Sequence, residues 1–154
     1  MPERNFRKFD EMLVSEEVLL IVKHIEKINQ LMGSAVYEGG IKPVQFENFQ
    51  HLITTANEEE LLDLTNYPNA AVRCYAFWAL ACHRSSFLTL AILEKYLKDT
   101  DWVSTQFGCL SITETVASFT HEAVTNGRYG CIDIAYLNIN SNEIKRMADK
   151  TNEV

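Results

Sequence analysis

Proline and glycine are scarce, three and six residues in a chain of 154. So few turn formers exclude an all-β fold of many short strands, and collagen-like and low-complexity classes with it. Long apolar runs are also missing. Runs such as Val18 to Val22 fall far short of the roughly 18 residues that span a bilayer. The opening stretch Met1-Pro2-Glu3-Arg4-Asn5 is polar and lacks the core of a secretory leader. With Met1 as the native start, the chain is expected in the cytoplasm. Positive charge is in deficit, 14 Lys and Arg against 21 Asp and Glu, for a net charge of −7. An acidic surface repels phosphate backbones and anionic lipid, so neither nucleic acid nor a membrane is expected as a partner. The one basic cluster, Arg4, Arg7 and Lys8, is flanked by acids.

Motifs that carry chemistry are equally thin. Cys74, Cys82, Cys109 and Cys131 form no C-x-x-C pair. On a helix Cys74 and Cys82 would stand about 12 Å apart, too far for a disulfide. Reduced, buried thiols are expected. The histidines His24, His51, His83 and His121 form no H-E-x-x-H, and no Glu-x-x-His motif occurs. Neither a Walker loop, a G-x-G-x-x-G turn nor a G-x-S-x-G elbow is present. No cofactor and no metal site is expected. Gly127-Arg128-Tyr129-Gly130 reads as a surface turn.

What is present is helical patterning. Apolar residues make up 47% and charged residues 23%, the balance of one globular domain over residues 1–154. Ser15 is an N-cap candidate, followed by Glu16 and Glu17 and then by Val18, Ile21, Ile25, Ile28 and Met32 at helical spacing. The spacing predicts one helix over 15–32, stopped by Gly33. Gly39, Gly40 and Pro43 mark a loop, and Val44 to Thr54 a second helix. Asn57 is a further cap candidate ahead of Glu58, Glu59 and Glu60. Pro68 interrupts the chain before a helix from Ala70. Ser85 or Ser86 caps another, and Trp102 to Phe119 reads as helical despite Gly108. Cys131 to Ile139 fits neither period, and 142–150 reads as a short polar helix with Ile144 and Met147 inward.

Self-comparison finds a repeat. Residues 61–80 and 92–111 align at an offset of 31, each an amphipathic helix, a polar turn, then a valine (Val72, Val103) opening a second helix. Leu62, Pro68, Asn69, Val72, Arg73, Ala76, Ala79 and Leu80 resemble the pattern of short HEAT-type repeats. In the second unit Ser104, Phe107 and Ser111 depart from it. The resemblance implies an all-α fold: a right-handed array of helical hairpins, with repeat units about 57–83 and 87–119, an N-terminal helix and a short irregular C-terminal segment. It also implies a protein-binding scaffold.

The aromatics complete the reading. A helix has one core stripe, yet 70–82 has apolar residues on nearly every side. Arg73, Tyr75, Phe77, Trp78, Arg84 and Trp102 are therefore expected to include an exposed, partner-binding surface of aromatic and arginine residues. The leading expectation is a non-enzymatic interaction module that neutralises or scaffolds a protein partner. The alternative is a small metal-assisted hydrolase whose site is assembled from dispersed His, Cys and Glu residues.

Overall fold

The computed structural model describes residues 8–84 and 86–149. Arg4, Arg7 and the cap candidate Ser85 lie outside them. Seven helices and a three-stranded sheet follow one another as α1 Glu16–Ile28, β1 Leu31–Val36, α2 Val44–Thr55, α3 Glu58–Leu64, α4 Ala70–Cys82, α5 Ser86–Tyr96, β2 Trp102–Gly108, β3 Leu110–Thr115, α6 Val116–Val124 and α7 Ser141–Asp149. Single turns of 3-10 helix occupy Glu11–Leu13 and Ala135–Leu137.

The sheet corrects the expected fold class. The chain is α/β, not an all-α array of HEAT-like hairpins, because β1 pairs parallel with β2 and β2 pairs antiparallel with β3. The first repeat-like unit is a helical hairpin, α3 and α4. The second is not: α5 leads into a β-hairpin where Trp102 to Phe119 was expected to be helical. The physical reason lies at Gly108. Its φ of +58° fits the first position of a two-residue type II′ turn, with Cys109 second and Phe107 opposite Leu110. Val103, Thr105, Ile112, Thr113 and Thr115 are β-branched residues suited to the pleat on either side.

The helix expected over 15–32 is also shorter. Ser15 does cap it, its hydroxyl accepting from the Val18 amide, and Val18, Ile21, Val22 and Ile25 form the buried stripe. Asn29 then takes the left-handed conformation at φ 53° and ends the helix. Met32 and Gly33 belong to β1. Gly33 is needed there because a Cβ on it would stand 2.7 Å from Phe107 Cδ1 on the neighbouring strand. Asn57 caps α3 in a reciprocal box with Glu60, whose other oxygen accepts from the Ser15 amide at 2.8 Å. Asn69 caps α4, its side chain accepting from the Val72 amide.

Helix α4 is the axis of the fold. Every residue from Ala71 to Ala81 is buried. It packs against α1, α2, α3, α5, α6 and both β1 and β2, so no side of it faces solvent. Ring contacts run outward from it without a break. Trp78 meets Phe46, Phe49 and Tyr75, and then Phe107, whose ring packs on Phe119 and Tyr129. Arg73, 7% exposed, donates to the carbonyls of Tyr67 and Pro68 and to the carboxylates of Asp99 and Asp101. It thus ties the α3–α4 turn to the segment entering β2.

Candidate interaction surface at the end and edge of the sheet

Of the six residues expected to include an exposed partner surface, four are buried and two are exposed, Trp102 at 68%. Tyr75 and Phe77 are completely buried, and Trp78 and Arg73 nearly so. They are core, because the sheet and the first two helices cover the sides that two hairpins would have left open. Trp102 is exposed and Arg84 is exposed, at φ 56° just past the end of α4. The expectation of buried thiols is corrected too: Cys74 is buried and Cys131 half-buried, but Cys82 and Cys109 are exposed. Burial pushes the Cys131 thiol up to about 12 and that of Cys74 higher still, so neither is a ready nucleophile.

Two polar arrangements invite a catalytic reading. The first is Glu114 of β3, 6% exposed. Its Oε1 accepts from Ser118 at 2.9 Å and Arg128 at 3.3 Å, and its Oε2 from Thr105 at 3.2 Å and from the Tyr129 hydroxyl. Four donors on two oxygens leave no lone pair turned toward a substrate. Burial, with the bond to Glu114, pushes the Tyr129 hydroxyl up to about 12, so it stays a proton donor to the carboxylate. This is a satisfied structural network. The second is a cavity of about 480 Å³ between α6, the 130–135 segment and α7, walled by Ile132, Ile134, Ile139 and Ile144. Asp133 and Asn140, at its rim, accept from the Ala135 and Glu143 amides and so shape the chain's own turns. Among the described residues, no group of three or more His, Cys, Asp or Glu side chains is gathered where a metal ion could sit. No helix among them is long and apolar enough to cross a membrane.

The sheet has two very different edges. Leu31 stands opposite Thr105 in the parallel ladder, so the Met32 amide and carbonyl point away from β2. Both are taken by one group: the Tyr75 hydroxyl accepts from the Met32 amide at 2.6 Å and donates to its carbonyl at 2.9 Å. Tyr75 thereby covers the start of the β1 edge, and Ile41 pairs with Val36 at its end. On β3 the closing pair of the hairpin is Phe107 and Leu110, so Leu110, Ile112 and Glu114 bond inward. The amides and carbonyls of Ser111 and Thr113 point outward, and among the described residues nothing meets them. Natural sheets blunt such an edge with lysine, proline, a bulge or inward charge. Here the one charge on β3 is Glu114, buried near its end and paired with Arg128; residues 110–113 carry no charge and no proline, and the β2–β3 register is regular.

The end of the sheet is apolar and strained. Val36 stands beside Gly108, and the Tyr37 amide donates to the Gly108 carbonyl, which seats the 36–44 loop on the hairpin tip. Tyr37, Ile41 and Val44 project from this loop, 57%, 60% and 65% exposed. Tyr37 holds φ at +63°, where a bulky side chain meets its own carbonyl. Glu38 and Lys42 are exposed on the same loop, and Glu47 is exposed in the first turn of α2. The sequence marked this stretch as a loop through Gly39, Gly40 and Pro43, but no periodicity announced that its apolar residues would face solvent. No family model matches the chain, and neither the curated proteins nor the solved structures yield a match.

Proposed function

We propose that the protein is a non-enzymatic binding domain that holds a protein partner against the end of its sheet. The observation that carries this reading is Tyr37: an aromatic residue, 57% exposed, kept in the left-handed region beside exposed Ile41 and Val44. Left-handed backbone costs a non-glycine residue about 1–2 kcal/mol. The surrounding fold bears that cost where glycine would have avoided it, and what Tyr37 provides in return is a ring directed away from the core. Strain of this kind concentrates at functional positions. Tyrosine is also among the residues enriched in interface hot spots. The net charge of −7 favours a partner whose apolar patch is bordered by lysine or arginine.

Substituting Tyr37→Gly separates binding from folding. Glycine removes the left-handed strain but has more freedom to lose, so stability is expected to lie between unchanged and about 1 kcal/mol higher. A partner captured by the wild-type protein from cells of its source is expected to be lost by Tyr37→Gly, and weakened for the wild type by added salt. Urea denaturation checks the first statement and affinity capture the second. Retention of the same partner by both Tyr37→Gly and Ile41→Ser would place binding elsewhere.

A further inference from the structure

We infer that the open edge of β3 is a self-association surface, and that its occupant is a second copy of this chain paired antiparallel across a two-fold axis at Ile112. This surface is separate from the sheet end, and the inference does not depend on the partner reading. The first argument is the contrast between the edges. On β1 the Tyr75 hydroxyl takes up the Met32 amide and carbonyl and Ile41 pairs with Val36, whereas Ser111 and Thr113 of β3 present two donors and two acceptors to no described group. An edge stretch such as 110–113, without charge, proline or bulge, is a template for another strand.

The second argument selects the occupant. Residues 102–113 are uncharged in a chain of net charge −7. A basic partner strand would find no carboxylate along this edge, because Glu114 is buried and bonded to Arg128. A second copy meets no like charge there. The third argument is register. Outward backbone at Ser111 and Thr113 and inward backbone at Ile112 allow one centred arrangement. Ser111 faces Thr113 of the copy in two hydrogen-bonded pairs, for four bonds. Ile112, half-buried in the single chain, then faces its own counterpart in the closer, non-hydrogen-bonded pair. Two three-stranded sheets become one of six strands, and a symmetric contact of this kind closes without growing into a filament. Because each copy carries −7, added salt strengthens the pair, the opposite of its effect on a basic partner.

Sedimentation velocity of the full chain across a concentration series, at low and high salt, reads the association. The mass is expected to rise from 17.6 kDa toward twice that, at lower concentration when salt is higher. Thr113→Lys, which places like charges across the axis, is expected to raise the midpoint by about tenfold or more. Thr113→Pro removes only an outward amide and is expected to do the same. In a Cys82→Ser, Cys109→Ser background, Ile112→Cys is expected to oxidise to a symmetric disulfide, since facing Cα atoms in such a pair lie about 4.5 Å apart. A mass of 17.6 kDa at every concentration overturns the inference, and so does a dimer that both Thr113 variants leave unchanged. Neither outcome bears on capture through Tyr37, so the two readings fail separately.

Discussion

Replacing Arg73 with methionine is expected to destabilise the protein by about 3–5 kcal/mol, the cost of removing one partner from a buried ion pair. Methionine keeps much of the aliphatic volume. What it loses is four donations, to the carbonyls of Tyr67 and Pro68 and to Asp99 and Asp101. Asp99 is the carboxylate that matters, with its side chain 14% exposed and left without its guanidinium. Asp101 has a 66% exposed side chain that water solvates, so Asp101→Ala is expected to cost under about 1 kcal/mol. Burial works against the charge on Arg73, but Asp99 and Asp101 outweigh it and raise the arginine pKa, so the guanidinium stays charged. Urea denaturation of the two variants checks the asymmetry. Equal, small effects would mean that Arg73 is solvated and not the clasp between α3–α4 and β2.

Trp78→Ala is expected to cost about 3–5 kcal/mol and to lower Tm by roughly 10 °C. Trp78 is 8% exposed and sits in ring contact with Phe46, Phe49, Tyr75 and Phe107, which come from α2, α4 and β2. Truncation leaves a cavity where helices and sheet meet. Were Trp78 part of an exposed binding face, the change would fall within about 0.5 kcal/mol and only partner binding would suffer. Calorimetry distinguishes the two.

Local signals were legible where they are strong. Ser15 and Asn57 cap helices as their side chains allow, and Pro68 breaks the chain before α4. The sheet was hidden for two reasons. Ile25, Ile28 and Met32 continue a helical spacing straight through Asn29, although Asn29 turns left-handed and Met32 lies in a strand. The alignment of 92–111 with 61–80 carried helix onto β2, outweighing the β-branched residues and the Gly108-Cys109 turn that argue for a hairpin. Missing the sheet also left the burial of Arg73, Tyr75, Phe77 and Trp78 unforeseen. The apolar sides of α4 were assigned to solvent because the elements that cover them, β1, β2, α1 and α2, are distant in sequence. The exposed groups proposed here, Tyr37, Ile41, Val44 and the Ser111–Thr113 backbone, become visible only through pairing and backbone conformation, which periodicity does not encode.

The most direct test is residue-resolved hydrogen exchange along β3 as a function of protein concentration. At low concentration the amides of Ile112 and Glu114, bonded inward to β2, are expected to be protected, and those of Ser111 and Thr113 to exchange close to unprotected rates. At high concentration Ser111 and Thr113 alone are expected to slow. Uniform protection from residue 102 to 115 with no alternation would contradict the hairpin, and alternation unchanged by concentration would contradict a second copy on its open edge.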